Sequence, residues 1–557
     1  MKTEGTRDVS DSERRDGPVA TEQPPRGQTA LPSELAASIA TLSPAQLELL
    51  HAQLKKLNVK PEGEQRQRQR ITRRRRDSDT AALSFAQQRM WFLEQLTPGT
   101  PTYNIPCAIR LSGRLDVAAL ERSLNEIVRR HETLRTTFAD REGRPIQIIS
   151  ESLTLPLDFN DLRGLEEGER EARAASLINE DAQRPFDLTR GPLLRATLLR
   201  VADEEEYVLL LTIHHIICDK WSLDVFLREL VLLYGAFSRR QPSPLPELPF
   251  QYADFALWQQ EYLSDEVVER QFAFWEKQLA GAATHLNLPT DHPRPDLQSF
   301  RGARYPVSFP RELTEEVDAF SQREGGTFFI TALAAFKALL HVYTKQTDIL
   351  LGTTILGRHQ PEAEALIGFF ANTLVLRTDL SGDPTFRELL ARMRQMMLDS
   401  HAHQDLPFEK LVERLCDERD PSRHPFFQVM FNLQTSPVEE LALPDLTFSR
   451  IEADSGTVKF DLTIFLLKSA RGLGGFFIYN KDLFEVESIT RLTEDYESAL
   501  SWAAGSPGGR LSELADRLAR ERAERQAAKR DEMRRANLEK LKTLGRAPVG
   551  RRKGGGA

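Results

Sequence analysis

The sequence predicts a mixed α/β protein, because short apolar runs of strand length alternate with helical patterns through most of its 557 residues. Tyr207 to Ile213 is a continuous apolar run, typical of a buried strand, and a helical pattern of apolar residues from Leu223 to Phe237 follows it. The proline-rich stretch from Gln241 to Pro249 then interrupts the alternation before it resumes. We therefore expect two lobes, at residues 80–248 and 249–506.

The first lobe contains helices and strands of ordinary length. Helices are predicted at Val117 to His131 and Gly168 to Arg184. A third helix is predicted to open at Ser222, a suitable N-cap, with Asp224 favourably placed in the first turn. The predicted strands are Ala108 to Leu111, Pro145 to Ile149, Leu194 to Arg200 and Tyr207 to Ile213. The last two strands are expected to be neighbours.

The second lobe repeats this style without repeating the sequence. Its predicted helices are Val267 to Gly281, Thr327 to Thr344, Thr385 to His401 and Val486 to Ala504. Its predicted strands are Arg304 to Phe309, Ile349 to Thr354, Leu374 to Thr378, Val429 to Leu433 and Leu462 to Leu467. The run Gly472-Leu473-Gly474-Gly475 lacks the lysine and hydroxyl residue of a phosphate loop, so it is interpreted as a turn.

The ends of the chain differ from the lobes in composition. Residues 1–30 are polar and poor in large apolar side chains, which predicts disorder. Residues 31–60 carry two short amphipathic patterns, the second starting at Ser43-Pro44, and form a helical linker that docks a partner or packs on its own body. The arginine run in residues 61–79 favours a solvated linker over a nucleic-acid patch. Residues 507–557 predict a charged helical tail.

Composition and cysteine usage limit the possible functions. The net charge of -8 argues against a dedicated nucleic-acid binder. Cys107, Cys218 and Cys416 are far apart, which indicates neither a disulfide framework nor a zinc site. The amino terminus has no apolar signal core, and no stretch is long and apolar enough to span a bilayer. We expect a cytoplasmic, monomeric protein with neither nucleic acid nor membrane as a partner.

One segment points to chemistry: Ile213-His214-His215-Ile216-Ile217-Cys218-Asp219-Lys220-Trp221-Ser222. It joins a predicted strand to a predicted helix, where a loop holds side chains still and leaves them reachable. Because neighbouring side chains on a strand point to opposite faces, one histidine is expected to face the core and the other a cavity. An imidazole titrates near neutrality, so the histidine in the cavity can accept or steer a proton.

Other interpretations of this segment stay open. A histidine beside a strand is more often a packed core residue than a catalytic group. Asp219 either orients an imidazole or fixes the loop through an arginine, and spacing alone does not decide between them. Cys218 is better explained as a small packing residue than as a nucleophile.

The segment and six others together resemble the condensation domains of nonribosomal peptide synthetases, whose signature is His-His-x-x-x-Asp-Gly. The other six segments follow in the family's order. They are Ser84 to Leu93, Arg130 to Phe138, Tyr252 to Trp258, Ile367 to Thr373, His403 to Glu409 and Arg419 to Pro425. The resemblance thus extends over residues 84–425.

The resemblance implies two chloramphenicol-acetyltransferase-like lobes that form a V-shaped pseudodimer, with the active-site tunnel between them. It implies that an amine or hydroxyl attacks a thioester on phosphopantetheine, which a carrier protein delivers. No covalent acyl-enzyme, metal or bound cofactor is then required. Peptidyl or acyl carrier proteins and other synthetase subunits are the implied partners.

The resemblance also implies roles for individual residues. His215 is expected to face the tunnel and to take a proton from the nucleophile or orient it, whereas His214 and Asp219 are structural. Arg358 is the arginine expected to pair with Asp219. The residues expected to line the tunnel or contact substrate are Lys220, Trp221, Ser222, Arg358 and Asn372.

One position departs from the family's signature. Lys220 stands where the family has glycine, beside the route of the acceptor's pantetheine arm, so a long cation replaces a close backbone approach. Three hypotheses follow: an active freestanding condensation enzyme, a silent condensation-like scaffold that recruits carrier proteins or a tailoring oxygenase, and a coenzyme-A-dependent acyltransferase. The freestanding interpretation rests on the lack of a recognisable adenylation, carrier or oxygenase segment, although residues 537–544 resemble linkers that precede oxygenase domains.

Overall fold

The computed structural model describes residues 70–76, 78–202, 205–358, 360–416, 420–435, 441–443, 445–451 and 456–544. The predicted disordered tail, the predicted helix start at Ser43-Pro44 and residues 61–69 of the basic linker lie outside the described residues. The solvated linker predicted for residues 61–79 is wrong at Arg74 in the described arginine run, because the Arg74 side chain is 10% exposed and pairs with Glu132 and Asp254. Within them the chain forms a mixed α/β fold with two six-stranded sheets and a smaller three-stranded sheet. The predicted fold class is confirmed at this level.

Most predicted strands and helices are confirmed to within a few residues. The strands in the described part of the chain are β1 (Thr80–Ala82), β2 (Asn104–Gly113), β3 (Thr136–Arg141), β4 (Arg144–Ile149), β5 (Leu157–Asp161), β6 (Leu194–Ala202), β7 (Glu206–His214), β8 (Gly302–Ser308), β9 (Asp348–Ile355), β10 (Asn372–Asp379), β11 (Val429–Thr435), β12 (Leu441–Leu443), β13 (Leu446–Ile451), β14 (Leu462–Ser469) and β15 (Gly472–Asn480). The α-helices there are α1 (Phe85–Leu96), α2 (Val117–Arg130), α3 (Glu167–Gln183), α4 (Lys220–Phe237), α5 (Tyr252–Tyr262), α6 (Asp265–Leu279), α7 (Arg311–Arg323), α8 (Phe328–Thr344), α9 (Phe386–Ala402), α10 (Phe408–Leu415), α11 (Val486–Gly505) and α12 (Leu511–Leu544).

The N-terminal lobe is organised around β7, the apolar run recognised in the sequence. Its sheet has the order β12-β13-β2-β7-β6-β5, and β7 pairs antiparallel with β2 and with β6, its predicted neighbour. Seven successive residues of β7 from Tyr207 to Ile213 are buried, because apolar residues of α2 and α4 share a core with one face of the strand and residues of α3 pack against the other face. This central position fixes the end of β7, where the two histidines lie.

The C-terminal lobe has its own sheet and core. Its strand order is β10-β9-β11-β14-β15-β8. The most apolar helix, α8, begins after the N-cap Thr327, whose hydroxyl accepts a hydrogen bond from the Ile330 amide at 3.3 Å. Helices α9 and α11 pack against it, so α8 is buried on nearly all sides.

Strand β13 crosses from one half of the chain to the other. It lies within the predicted lobe at residues 249–506, yet it pairs antiparallel with β2, so that Phe448 stands opposite Leu111 and Arg450 opposite Ile109. Leu446 and Phe448 are buried in the core of the N-terminal lobe. The predicted boundary at residue 249 therefore does not describe the division of strands between the sheets.

The glycine run at residues 472–475 is not a turn, contrary to the prediction, but the first part of β15. Gly475 adopts a φ of +142°, and a Cβ there would overlap the carbonyl oxygen of Phe465 on the paired strand. Glycine occurs here because the two backbones approach too closely for a side chain.

Gly475→Ala should lower the free energy of unfolding by about 1–3 kcal/mol, because the new methyl group meets backbone and the φ angle is unfavourable for alanine. Gly164→Ala is the control, since a Cβ at Gly164 meets no described atom within 4 Å. Chemical denaturation of both variants measures the difference. Equal free energies of unfolding for the two variants would contradict the close approach of the β14 and β15 backbones at Gly475.

The predicted charged helical tail is confirmed as helix α12, and the start of α12 is docked on the C-terminal lobe. Leu511, Leu514 and Leu518 at the start of α12 are fully buried. Further along, Arg522 Nε donates to Oδ2 of the buried Asp495 at 2.7 Å, and Arg525 also pairs with that carboxylate. The sparse leucines lie on one face and therefore dock the first turns of α12 on the C-terminal lobe.

Among the described helices, none is by itself both long and apolar enough to cross a membrane. Helices α7 and α8 reach that length and apolarity only together, and the pair is bent by 107°. No group of three or more His, Cys, Asp and Glu side chains in the described residues is arranged to hold a metal ion.

Candidate active site

The histidine pair lies at the end of β7, as the sequence predicts. His214 is the last residue of the strand, and His215 opens a single 3-10 turn that ends at Ile217. Helix α4 then begins at Lys220, because Asp219 is the N-cap and its Oδ1 accepts a hydrogen bond from the Ser222 amide at 2.8 Å. The prediction that Ser222 caps this helix is wrong.

His214 faces the protein core. Its Nδ1 accepts a hydrogen bond from the Ile216 amide at 3.2 Å, and its ring packs edge-on against Tyr103 and Phe186. Burial lowers the pKa of His214 to about 3, and the nearby charges of Lys459 and Arg195 add to this shift. His214 is thus a neutral imidazole that holds the loop in shape.

His215 lies on the opposite side and lines a large cavity. Its ring contacts the ring of Phe369 with the centroids 4.6 Å apart. Its Nδ1 is buried and has no hydrogen-bond partner among the described residues. Burial, and to a lesser extent the charge of Lys459, holds the pKa of His215 well below its usual range. The imidazole is therefore neutral at physiological pH and available to accept a proton.

The carboxylate of Asp219 pairs with Arg358, not with an imidazole. Arg358 Nη2 donates to Asp219 Oδ1 at 3.3 Å, and both side chains are almost completely buried. Arg358 also donates through Nη1 to the carbonyls of Ala363 and Leu366, and through Nη2 to the Ser222 hydroxyl at 2.8 Å. Of the two alternatives for Asp219, the geometry favours the loop-fixing role.

The same loop is tied to the segment around Gly368. Asp219 Oδ2 accepts from the Phe370 amide at 3.0 Å, and the Asp219 amide donates to the Gly368 carbonyl at 3.1 Å. The Ser222 hydroxyl donates to the Gly368 carbonyl at 2.7 Å and accepts from the Gly368 amide at 3.0 Å. Because Phe369 lies between these anchors, its contact with His215 is held in place.

The cavity that His215 lines has a volume of about 1880 Å³ and receives side chains from both lobes. Side chains from the N-terminal lobe include Tyr103, His215 and Leu227; those from the C-terminal half include Asn432, Lys459 and Phe465. A cavity of this size accommodates an extended substrate.

Two of the five residues predicted to line the tunnel lie on the cavity. Lys220 and Asn372 line it, and the Asn372 side chain also donates to the carbonyls of Gln404 and Leu406 at 3.0 and 2.9 Å. Trp221, Ser222 and Arg358 do not line it. Ser222 and Arg358 are buried behind the loop, while Trp221 Nε1 donates to the Glu364 carbonyl at 2.9 Å. Their hydrogen bonds tie the histidine loop to the segment at residues 363–368, so these contacts are structural.

Lys459 is a cavity residue that the sequence analysis missed. Its ammonium lies 4.8 Å from the ring centroid of Tyr103. Burial lowers the pKa of Lys459 to about 7, and the charge of Arg89 contributes. The signal in the sequence is a lysine between Val458 and Phe460, two large apolar residues ahead of a predicted strand. In its charged form Lys459 lowers the pKa of both histidines and so disfavours protonation of either ring.

Cys218 does not behave as a nucleophile in this arrangement. The side chain is fully buried, and its thiol donates to the Asp219 carbonyl at 3.3 Å. Burial and the charge of Asp219 raise the pKa of Cys218 well above its usual value, so the reactive thiolate is disfavoured. The packing interpretation accounts for this residue.

The chain thus forms a mixed α/β fold in which His215 lies on the wall of a cavity that both lobes line. Residues 77–524 match the family model of the condensation domain, and the chain belongs to that family. The resemblance to condensation domains of nonribosomal peptide synthetases is thereby confirmed.

Curated relatives are large synthetases. The chain is 49% identical over 427 residues to one component of the linear gramicidin synthase of Brevibacillus parabrevis, covering 76% of this chain but 6% of that protein. It is 40% identical over 485 residues to phosphinothricin tripeptide synthetase PhsC of Streptomyces viridochromogenes, covering 86% of this chain and 44% of that protein. The chain thus spans less than half the length of these relatives.

Solved structures match over most of the chain. The X-domain in its complex with OxyB from teicoplanin biosynthesis is 32% identical, with a TM-score of 0.71 over 79% of this chain and 96% of that one. SgcC5 from Streptomyces globisporus is 31% identical, with a TM-score of 0.65 over 77% of this chain and 100% of that one.

Proposed function

We propose that the protein is a condensation enzyme that transfers an acyl or aminoacyl group from a carrier-protein thioester to an amine or hydroxyl. The observation that carries the proposal is the position of the His215 imidazole on the wall of a cavity that both lobes line. In this proposal the lobes are chloramphenicol-acetyltransferase-like halves of a V-shaped pseudodimer, and the cavity is the tunnel between them.

The thioester is already activated, so the protein has to bring two substrates together, manage one proton and exclude water. The nucleophile forms a bond to the thioester carbon, the carbon–sulfur bond breaks, and the proton released by the nucleophile ends on the pantetheine sulfur. Since Nδ1 of His215 is enclosed, the proposal assigns proton transfer or orientation of the nucleophile to Nε2. His214 and Asp219 then position the loop.

The partners in this proposal are acyl or peptidyl carrier proteins and other synthetase subunits, which supply phosphopantetheine as part of the substrate. The relatives support this, because they are themselves peptide synthetases. Cys107, Cys218 and Cys416 form no disulfide among the described residues, which supports action in a reducing compartment such as the cytoplasm.

The direct test offers acyl thioesters on a separate carrier protein, together with a panel of amines and alcohols, and detects the amide or ester by mass spectrometry. Acyl-coenzyme A in place of the loaded carrier tests the coenzyme-A-dependent alternative. Product that requires the loaded carrier would support the proposal, whereas equal use of acyl-coenzyme A would favour the alternative. No product with any pair of substrates would overturn both.

A second candidate is a condensation-like scaffold that recruits a tailoring oxygenase or bridges carrier proteins. The specific support is the similarity to an X-domain whose solved structure is a complex with OxyB. Lys220 adds to it, because a lysine occupies the glycine position of the signature. A scaffold would bind its partner with unchanged affinity after His215→Ala, which co-sedimentation or calorimetry with loaded carriers and oxygenases would reveal.

The pH profile should distinguish His215 from an ordinary histidine. With a hydroxyl acceptor, which does not titrate in this range, kcat/KM should stay constant from about pH 8 to pH 6, because the lowered pKa keeps the base neutral. An unperturbed imidazole would be half protonated near pH 6.5. Activity should be lost only at lower pH, as the imidazole becomes charged. Because the pKa of Lys459 in the same cavity is about 7, the profile is measured in Lys459→Met as well, and an apparent pKa of about 6.5 or above that persists in this variant would contradict the prediction.

A further inference from the structure

A cluster of polar side chains, separate from the histidine loop's own contacts, lies on the wall of the cavity. It consists of Lys220 and Asp224 from α4, Gln434 from β11 and Arg450 from β13, and all four residues line the cavity. We name this set the cationic cluster. Lys220, where the chain departs from the family signature, thus lies beside residues of β11 and β13 from the other half of the chain.

Asp224 lies at the centre of the cationic cluster. Lys220 Nζ donates to Asp224 Oδ1 at 2.9 Å, and Gln434 Nε2 donates to Asp224 Oδ2 at 3.2 Å. Arg450 Nη1 lies 3.9 Å from Asp224 Oδ1, which is within ion-pair range but too long for a hydrogen bond. Both carboxylate oxygens are therefore engaged, and Asp224 cannot move without breaking a contact to each lobe.

The cluster carries more positive than negative charge. Two cations share one carboxylate, and Lys220 and Arg450 are close enough to repel each other. Partial burial is the main cause of the lowered pKa of Lys220, and the charge of Arg450 lowers this pKa further. The charge of Asp224 acts in the opposite direction. A second negative charge at this point would neutralise the cluster.

Unused hydrogen-bond donors remain. Lys220 has three N–H groups, of which one is directed to Asp224, and the guanidinium of Arg450 makes no hydrogen bond to a described residue. Both side chains are about 40% exposed, with values of 41% for Lys220 and 40% for Arg450, so their donors reach the cavity. An arginine fork and an ammonium beside it suit a carboxylate, which accepts several hydrogen bonds at once.

An apolar surface adjoins the cationic cluster. Leu227 and Val231 follow Asp224 by three and seven residues on α4, and Phe448 precedes Arg450 by two residues on β13, so each lies on the same face as its polar neighbour. All three belong to the core of the N-terminal lobe and are 5–8% exposed, and the atoms that they do expose line the cavity. A carbon chain can pack against this surface while its charged end meets the cations.

We propose that Lys220 and Arg450 bind a carboxylate carried by the substrate, so that the cavity selects an acidic aminoacyl or carboxyacyl group. The inference rests on the proposed function, because it assumes that the cavity receives a substrate chain. A phosphate, such as that of phosphopantetheine, is a different anion that could meet the same cations, and the apolar surface beside the cluster favours a carboxylate on a carbon chain over it.

The test measures binding without turnover. Glutamyl and glutaminyl aminopantetheine, in which an amide nitrogen replaces the thioester sulfur, differ only in the charge of the side-chain terminus. Calorimetry with the His215→Ala protein gives both dissociation constants, so the comparison does not depend on whether the protein is an active enzyme. We expect the glutamyl probe to bind at least about tenfold more tightly, the range for hydrogen bonds to a charged group.

Lys220→Met and Arg450→Gln, each in the His215→Ala background, should each reduce this preference to about threefold or less. Lys277→Met is the matched control, because Lys277 is an exposed lysine on α6, and it should leave the preference unchanged. Circular dichroism checks that each variant is folded, and an unfolded Lys220→Met protein is replaced by Lys220→Gln.

The outcomes separate the alternatives. Equal affinities for the two probes, a preference that survives both cluster variants, or no measurable binding of either probe would overturn the inference. A third probe is glutaminyl aminopantetheine with a phosphate on the pantetheine hydroxyl. If it binds as tightly as the glutamyl probe and loses this affinity in Lys220→Met, the cluster binds phosphate and the carboxylate assignment is wrong. Failure of the proposed enzymatic function would instead appear as absence of product from the wild-type protein while the glutamyl preference persists.

Discussion

Replacing Arg358 with alanine is expected to lower the free energy of unfolding by about 3–5 kcal/mol. The guanidinium pairs with Asp219, and its removal leaves a carboxylate that is almost completely buried without its counter-charge. The carbonyls of Ala363 and Leu366 and the hydroxyl of Ser222 also lose a donor. Chemical denaturation followed by tryptophan fluorescence measures the loss.

The matched control is Arg311→Ala, which breaks an exposed ion pair with Glu315 on α7. Exposed pairs contribute about 0–1 kcal/mol, so this variant should unfold almost like the wild type. Similar losses in the two variants would show that Asp219 does not depend on Arg358 for its charge. Asp219→Asn should restore part of the stability of Arg358→Ala, because it removes the unpaired charge while it keeps the shape of the N-cap.

Replacing His215 with alanine is expected to reduce kcat by about 10²–10⁴-fold, the usual contribution of a positioned acid–base group. The KM for the carrier-bound donor should change little, because the large cavity and its other lining side chains remain. The stability should change less than in Arg358→Ala, since the His215 ring contacts the cavity and Phe369, not a buried charge. Single-turnover assays with mass-spectrometric detection measure the rate.

His292→Ala serves as the control for this experiment, because His292 pairs with Glu485 at the protein surface and is 44% exposed. It should retain wild-type turnover. If His215→Ala retains it as well, the imidazole is not the proton-handling group and catalysis relies on placement of the substrates. A wild-type protein that is inactive from the start, yet binds a carrier or an oxygenase, would move the interpretation to the scaffold.

Local patterns predicted most of the fold, because they depend on neighbours in the sequence. The apolar run of β7 and the helical periodicity of α8 and α9 are read directly from adjacent residues, and each element lies within a few residues of its prediction. The errors arose where a local signal has two solutions. Asp219 and Ser222 are both good N-caps three residues apart, and which of them caps α4 depends on Arg358 and Phe370, far along the chain.

Contacts between residues far apart in the chain could not be predicted from the sequence alone. Glycines at 472–475 indicated a turn, since only the pairing with β14 shows that a close backbone approach requires them. The partner of Asp219 was suggested by family resemblance, not by spacing, because 139 residues separate it from Arg358. Lys459 and Arg450 belong to no recognisable motif. They line the cavity only because the second half of the chain folds against the first.

Strand β13 has a consequence for how the protein can be divided. A fragment ending near residue 248 would lack Leu446 and Phe448 from its core, and one long edge of β2 would have no neighbour. Such an edge is a template for association with other chains. The complementary fragment would carry β13 with its buried face open to solvent. The two halves are thus interdependent in folding, and truncation at the proline-rich connection should produce aggregates instead of a working module.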